Sequence, residues 1–141
     1  MTATTLRQSA SSQPPTRILI VEDDPILRFT LAMELNQEGF AVREARDADE
    51  AETVLQTGAA IDAIVTDIEM PGARDGIALA KYVRAFYPGV RVIVVSGIVP
   101  KSGIVGVADA FFGKPYDIER IILRVRALLS APPRLASAHA N

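Results

Sequence analysis

The near-continuous β-branched run Arg17-Ile18-Leu19-Ile20-Val21-Glu22, matched later by Val90-Arg91-Val92-Ile93-Val94-Val95, restricts the fold more than any other feature. A strand that is apolar at successive positions has no face to give to water and must be covered on both sides. Helical patterns separate the strands and supply that cover. Asp24-Pro25 is an N-cap followed by a first-turn proline, after which Ile26, Leu27, Leu31 and Leu35 recur at helical spacing until Gly39. Phe40–Glu44 is a second, more polar strand, placed nearer an edge. Asp47–Gln56 is a helix closed by Gly58, and Ile61–Thr66 is a third strand. A Pro/Gly loop over Met70–Gly76 leads to a helix over Ile77–Phe86 with Ile77, Leu79, Ala80 and Val83 inward. After Val90–Val95 come a short strand, Ala110-Phe111-Phe112, and a last helix, Ile118–Leu129. Its core stripe is Ile121, Ile122, Val125, Leu128 and Leu129. Strand–helix alternation of this kind predicts an α/β domain with a parallel sheet and helices on both faces.

At 141 residues this is one domain with short tails. Residues 1–16, rich in Ser, Thr, Gln and Pro, read as a disordered arm, and 131–141 as a second tail. The folded unit is expected over 17–130.

Composition narrows the chemistry. There is no Cys, and the single His, His139, lies in the C-terminal tail. Thiol nucleophiles, Cys-based metal sites, a Ser-His-Asp triad and multi-His metal sites are therefore excluded. With 15 basic and 17 acidic residues, net −2, and no Lys/Arg run, the chain lacks a nucleic-acid footprint. No apolar run reaches the roughly 18 residues of a membrane span. The first 16 residues have no apolar core, so no secretory signal is expected. The expected setting is the cytoplasm, with no nucleic-acid and no membrane partner.

In open parallel sheets, ligands sit beyond the carboxyl ends of the strands. Those ends carry Asp23 and Asp24, then Asp67, then Ser96 with Gly97, then Lys114 with Pro115. Clustered carboxylates repel unless a cation or proton intervenes. An oxygen-only ligand set with open positions suits Mg²⁺. An ammonium and a hydroxyl suit phosphate oxygens, and a remaining carboxylate can act as a nucleophile to form an aspartyl phosphate.

These residues resemble the response-regulator receiver domain of the CheY-like kind. The resemblance spans about 17–130 and rests on Ile20-Val21-Glu22-Asp23-Asp24, Asp67-Ile68-Glu69-Met70-Pro71-Gly72 with Asp75-Gly76, Val95-Ser96-Gly97 and Lys114-Pro115. It implies a flavodoxin-like, doubly wound five-stranded sheet in the order 2-1-3-4-5. It also implies Asp67 as phosphoacceptor, with Asp23, Asp24, Asp67 and the backbone carbonyl of Glu69 holding Mg²⁺. Ser96 stands at the family's switch hydroxyl and Phe111 at its switch aromatic. Lys114 would pair with the phosphoryl group, and the Lys114-Pro115 bond is expected to be cis. Glu22 reads as a spectator beside the acidic pair. The Glu69 side chain, two residues past the nucleophile, is expected to tune phosphoryl lifetime or donor choice.

Two departures stand out. The loop after Asp67 is one residue longer than the usual family spacing. The interval from Ser96 to Lys114 is several residues shorter, and Ile98–Ala108 contains Pro100, Gly103 and Gly106. Each glycine costs a helix about 1 kcal/mol relative to alanine. The fourth helix is therefore expected to be one short turn or irregular.

Phosphorylation would bring roughly −2 charges to Asp67. Burying an aromatic such as Phe111 supplies about 1.5–3 kcal/mol, whereas a 1:99 to 99:1 shift needs about 5.5 kcal/mol. Ser96, Lys114 and a partner must therefore share the switch. The expected function is a two-component phosphorelay receiver, of stand-alone single-domain type. It would take a phosphoryl group from a sensor histidine kinase or phosphotransfer protein and signal by contact with a downstream protein target. That is a regulatory protein promoting only its own phosphorylation and dephosphorylation. Two other classes compete. A haloacid-dehalogenase-type phosphatase wants Asp-x-Asp where this chain has Asp67-Ile68-Glu69. A receiver-fold binding module would signal without phosphorylation.

Overall fold

The computed structural model describes residues 14–70, 72, 75–98 and 106–131. It contains five strands: β1 (Arg17–Val21), β2 (Ala41–Ala45), β3 (Ala63–Asp67), β4 (Arg91–Ser96) and β5 (Ala110–Gly113). Four helices lie among the described residues: α1 (Pro25–Gln37), α2 (Ala48–Gln56), α3 (Gly76–Phe86) and α4 (Ile118–Ser130). The strands form one sheet in the order β2-β1-β3-β4-β5, every pair parallel. The polar second strand is at an edge, as its composition predicts.

Period-2 alternation divides the central strands between two cores. Ile18, Ile20, Ala63, Val65, Ile93 and Val95 face Leu31, Ala32 and Leu35 of α1 and Ile121, Ile122 and Val125 of α4. Leu19, Val21, Ile64, Val92 and Val94 face Ala48, Ala51, Val54 and Leu55 of α2 and Leu79, Ala80 and Val83 of α3. Ile26 and Leu27, expected on the inner stripe of the first helix, are instead exposed. They lie in the first turn of α1, ahead of the buried Leu31, Ala32 and Leu35.

Each helix begins after an aspartate. Asp24 accepts from the Ile26 and Leu27 amides, Asp47 from Glu50, Asp75 from Ala78 and Asp117 from Glu119. A carboxylate here satisfies otherwise orphaned N–H groups and meets the positive end of the helix dipole. At the far end of the domain, the buried Arg91 donates from Nη2 to the Ala131 carbonyl at 2.8 Å, tying the end of α4 to β4.

Of the tails expected over 1–16 and 131–141, residues 1–13 and 132–141 lie outside the described residues, as do Pro71, Ala73 and Arg74 in the lengthened loop. The helix expected to be short falls largely on 99–105, which also lie outside them. The flanking Gly97, Ile98 and Gly106–Ala108 are not helical.

One glycine is demanded by close approach. The Gly76 amide donates to the Ile68 carbonyl at 2.8 Å. A Cβ at this position would overlap the Asp67 carbonyl oxygen and stand 2.9 Å from the Ile68 Cα. The chain thus folds back directly onto the end of β3, and only glycine permits it. Gly76→Ala should lower unfolding free energy by about 1–3 kcal/mol, the usual range for overpacking. Urea denaturation checks this, and an unchanged midpoint would show that the turn opens freely.

Candidate functional site

Parallel pairing brings the carboxyl ends of all five strands to one edge, and the titratable cluster lies there. Lys114, in the turn that leaves β5, is held by its own backbone: its N–H donates to the Ser96 carbonyl at 2.7 Å. Its Nζ donates to Glu22 Oε1 and to Asp67 Oδ2, each at 2.9 Å. One ammonium therefore serves two carboxylates that are both almost wholly buried, Glu22 at 6% and Asp67 at 7% exposure. The Lys114-Pro115 peptide bond is cis, as expected.

The electrostatics follow from that shared arrangement. Burial acts to lower the Lys114 pKa, but its hydrogen bonds and Coulombic contacts with Asp67 and Glu22 outweigh it and raise the pKa. Burial raises the pKa of Glu22, and its hydrogen bonds from the Asp24 amide and Lys114 offset only part of the effect. With two carboxylates on one ammonium, the lysine is more than compensated and Glu22 less than compensated.

The Glu22, Asp23 and Asp67 carboxylates each offer an oxygen, and these oxygens lie within 4.8 Å of one another. A cluster of hard oxygen donors with one exposed member, Asp23, fits a small divalent cation that retains water. Asp24 is not in the cluster. Its Oδ1 accepts from the Ile26 N–H at 2.9 Å and the Leu27 N–H at 3.3 Å. The expected pair was Asp23 and Asp24, whereas the structure gathers Glu22 and Asp23 with Asp67. Asp24 caps α1, whereas Glu22, expected to be a spectator, occupies the interior beside Asp67 and Lys114. The signal for it was present in the sequence. Asp24-Pro25 is an N-cap signature, which directs the Asp24 carboxylate to the helix and leaves the two preceding acids at the strand end.

The other candidate residues fall as follows. Glu69 has an exposed side chain, and its N–H donates to Asp67 Oδ1 at 3.3 Å. Ser96 is buried at the end of β4, and its Oγ accepts from the Ile98 N–H at 3.0 Å. That contact leaves the hydroxyl proton to donate elsewhere. Phe111 pairs in register with Val94 and packs with it against the α2/α3 core. Ser96, two residues beyond Val94, shares that face by alternation. Phe112 packs on the opposite face, against the α1/α4 core.

The sequence pattern of the response regulator receiver domain matches residues 18–126. The chain belongs to the response-regulator receiver family. It is 32% identical over 131 residues to the protein PetR of Rhodobacter capsulatus, which covers 91% of this chain and 54% of PetR. The chain thus spans about half the length of the curated relatives it matches. A CheY-like receiver domain protein from Methanospirillum hungatei matches with a TM-score of 0.77 at 26% identity, over 83% of this chain and 95% of that one. The response regulator TrrA of Thermotoga maritima, solved in complex with Mg²⁺-BeF, matches with a TM-score of 0.73 at 27% identity. That match covers 80% of this chain and 98% of TrrA.

The three acids should separate by measurement. Asp24→Ala should cost about 1 kcal/mol of stability through loss of the cap and change Mg²⁺ affinity little. Glu22→Gln and Asp23→Asn should weaken Mg²⁺ binding by roughly 10-fold or more. Calorimetric titration with MgCl₂ and urea denaturation of the same variants read both quantities. Equal loss of Mg²⁺ affinity in all three variants would return Asp24 to the cation site.

Proposed function

We propose that the protein is a phosphorelay receiver whose Asp67 accepts a phosphoryl group in a Mg²⁺-dependent transfer. The observation that carries this is Asp67 itself, a carboxylate held 2.9 Å from the Lys114 ammonium inside an acidic cluster at the ligand-binding edge of the sheet. Glu22, Asp23 and Asp67, with the Glu69 carbonyl, would hold the cation. When bound, Mg²⁺ would offset the negative charge of the phosphoryl oxygens.

In the transfer, an Asp67 carboxylate oxygen forms a bond to phosphorus while the bond from phosphorus to the donor nitrogen breaks, and the donor imidazole departs with that electron pair. Lys114 lies beside Asp67 already and needs only to shift from carboxylate to phosphoryl oxygen. The Ser96 hydroxyl, oriented by the Ile98 amide, donates its proton to another phosphoryl oxygen. Phe111, on the Ser96 face, would pass the change to the surface, where a downstream protein reads it.

A protein phosphodonor is supported by the surface beside the site. Ile26 and Phe29 of α1 are 75% and 62% exposed, and Met33 also reaches solvent. A cavity of about 440 Å³ is bordered by Leu27 of the same helix together with Lys114, Pro115 and Tyr116. Apolar side chains gathered next to a charged site suit a histidine kinase or phosphotransfer protein that must bring its own group close.

Incubation with acetyl phosphate and MgCl₂ should add one phosphoryl group to the wild type and none to Asp67→Asn, as read by intact mass. Equal labelling of the two proteins would overturn Asp67 as acceptor. Glu69 is proposed as a rate-tuning residue, because its N–H donates to Asp67 while its side chain is exposed. Glu69→Gln should change phosphoryl lifetime measurably, in the direction of longer retention or faster donor attack. Unchanged rates of both phosphorylation and dephosphorylation would end that role.

A further inference from the structure

The β1–α1 turn has to present Glu22 and Asp23 at fixed positions, although like charges there push the chain apart. Three contacts hold the Glu22 residue. Its N–H donates to the Ala45 carbonyl at 3.0 Å. Its Oε2 accepts from the Asp24 N–H at 3.0 Å and its Oε1 from Lys114. The fourth group, the Glu22 carbonyl, points to a residue that sequence reasoning passed over. Arg28 Nη1 donates to it at 2.9 Å, while Arg28 Nε donates to Glu44 Oε1 at 3.1 Å.

The guanidinium is thus a bridge. One edge holds the carbonyl of the acidic turn and the other is anchored on the last residue but one of β2. The Arg28 side chain is 21% exposed, so most of it is packed. The Arg28 backbone is fixed as well, because its N–H donates to the Asp24 carbonyl at 2.9 Å. Only a planar fork can reach both partners at once; a lysine ammonium on a flexible stem is a single point charge.

We propose that Arg28 is a positioning residue for the divalent-cation site, holding the Glu22 peptide between α1 and β2 so that Glu22 and Asp23 are arranged before the cation arrives. The proposal rests on the reading that Glu22, Asp23 and Asp67 take that cation. Its sign is informative. A positive charge beside an acidic cluster opposes cation binding by Coulomb repulsion. If Arg28 acted only through its charge, removing it would tighten Mg²⁺ binding. As a positioning residue, it weakens Mg²⁺ binding when removed, because partners that orient metal ligands are worth about 10–100-fold in affinity.

The experiment compares wild type, Arg28→Met, Arg28→Lys and Asp23→Asn in the full chain. MgCl₂ affinity is measured by calorimetry, and amide hydrogen exchange of Glu22 is measured in the metal-free protein. Arg28→Met should bind Mg²⁺ about tenfold more weakly, and its Glu22 amide should exchange faster without any metal present. Arg28→Lys keeps the charge and loses the fork, so it should also bind more weakly than wild type. Should Arg28→Met fail to fold, Arg28→Lys and Glu44→Ala, which removes the anchoring acceptor, carry the same comparison. Wild-type or tighter Mg²⁺ binding in the Arg28 variants, or unchanged Glu22 exchange, would overturn the proposal. If Asp23→Asn also leaves Mg²⁺ binding intact, the cation site itself is misplaced. If only Asp23→Asn loses binding, the site stands and the positioning role falls.

Discussion

The ammonium of Lys114 is the contact on which the rest of the site depends. Burying two carboxylates in one corner is strongly unfavourable unless a partner charge accompanies them. Lys114 meets both Glu22 and Asp67 at 2.9 Å. These acids follow β1 and end β3, and the lysine follows β5, so the three strands must present the same end to the same edge. Parallel pairing throughout is what makes that possible. The lysine is also bound to β4 through the Ser96 carbonyl, so it joins the ends of four strands.

The balance of charge at this corner explains why it is receptive. A single ammonium cannot neutralise three acids, and Glu22 is accordingly pushed toward its protonated form by burial. On the proposed reading, a further cation would relieve the deficit and leave positive charge for a phosphoryl group to meet. The platform beneath is stiff. Both faces of the sheet are filled with Ile, Leu and Val, each fully buried side chain contributing about 1.5–3 kcal/mol. Function is thereby concentrated at the turns and loops of one edge, where carboxylates, lysine and hydroxyl are carried by short segments of a rigid sheet.

Much of this is legible in the sequence. The β-branched runs identify strands covered on both faces, and alternation with helical patterns implies parallel pairing. Asp24-Pro25 marks the capped start of the first helix, and Asp47 opens the second. The order Asp67, Ser96, Lys114 places the site chemistry at successive strand ends. What misled was the row Glu22-Asp23-Asp24, because adjacent acids look alike in a sequence and differ only in direction. Ile26 and Leu27 misled for a related reason. Helical spacing shows which residues share a face, but not where along the helix that face leaves the core. Arg28 carried no local signal, since its two partners lie on different elements.

Propensity, periodicity and capping act over a few residues, so the strand and helix pattern, the capped start of the first helix and the set of reactive groups are legible in the sequence alone. Which of the three consecutive acids meets Lys114, which phenylalanine shares the face of Ser96, and the Arg28 bridge from α1 to β2 emerge only in the folded chain. Those outcomes depend on side-chain direction at a particular strand end and on neighbours distant in the chain. Local preference cannot specify them; the register of packed strands does.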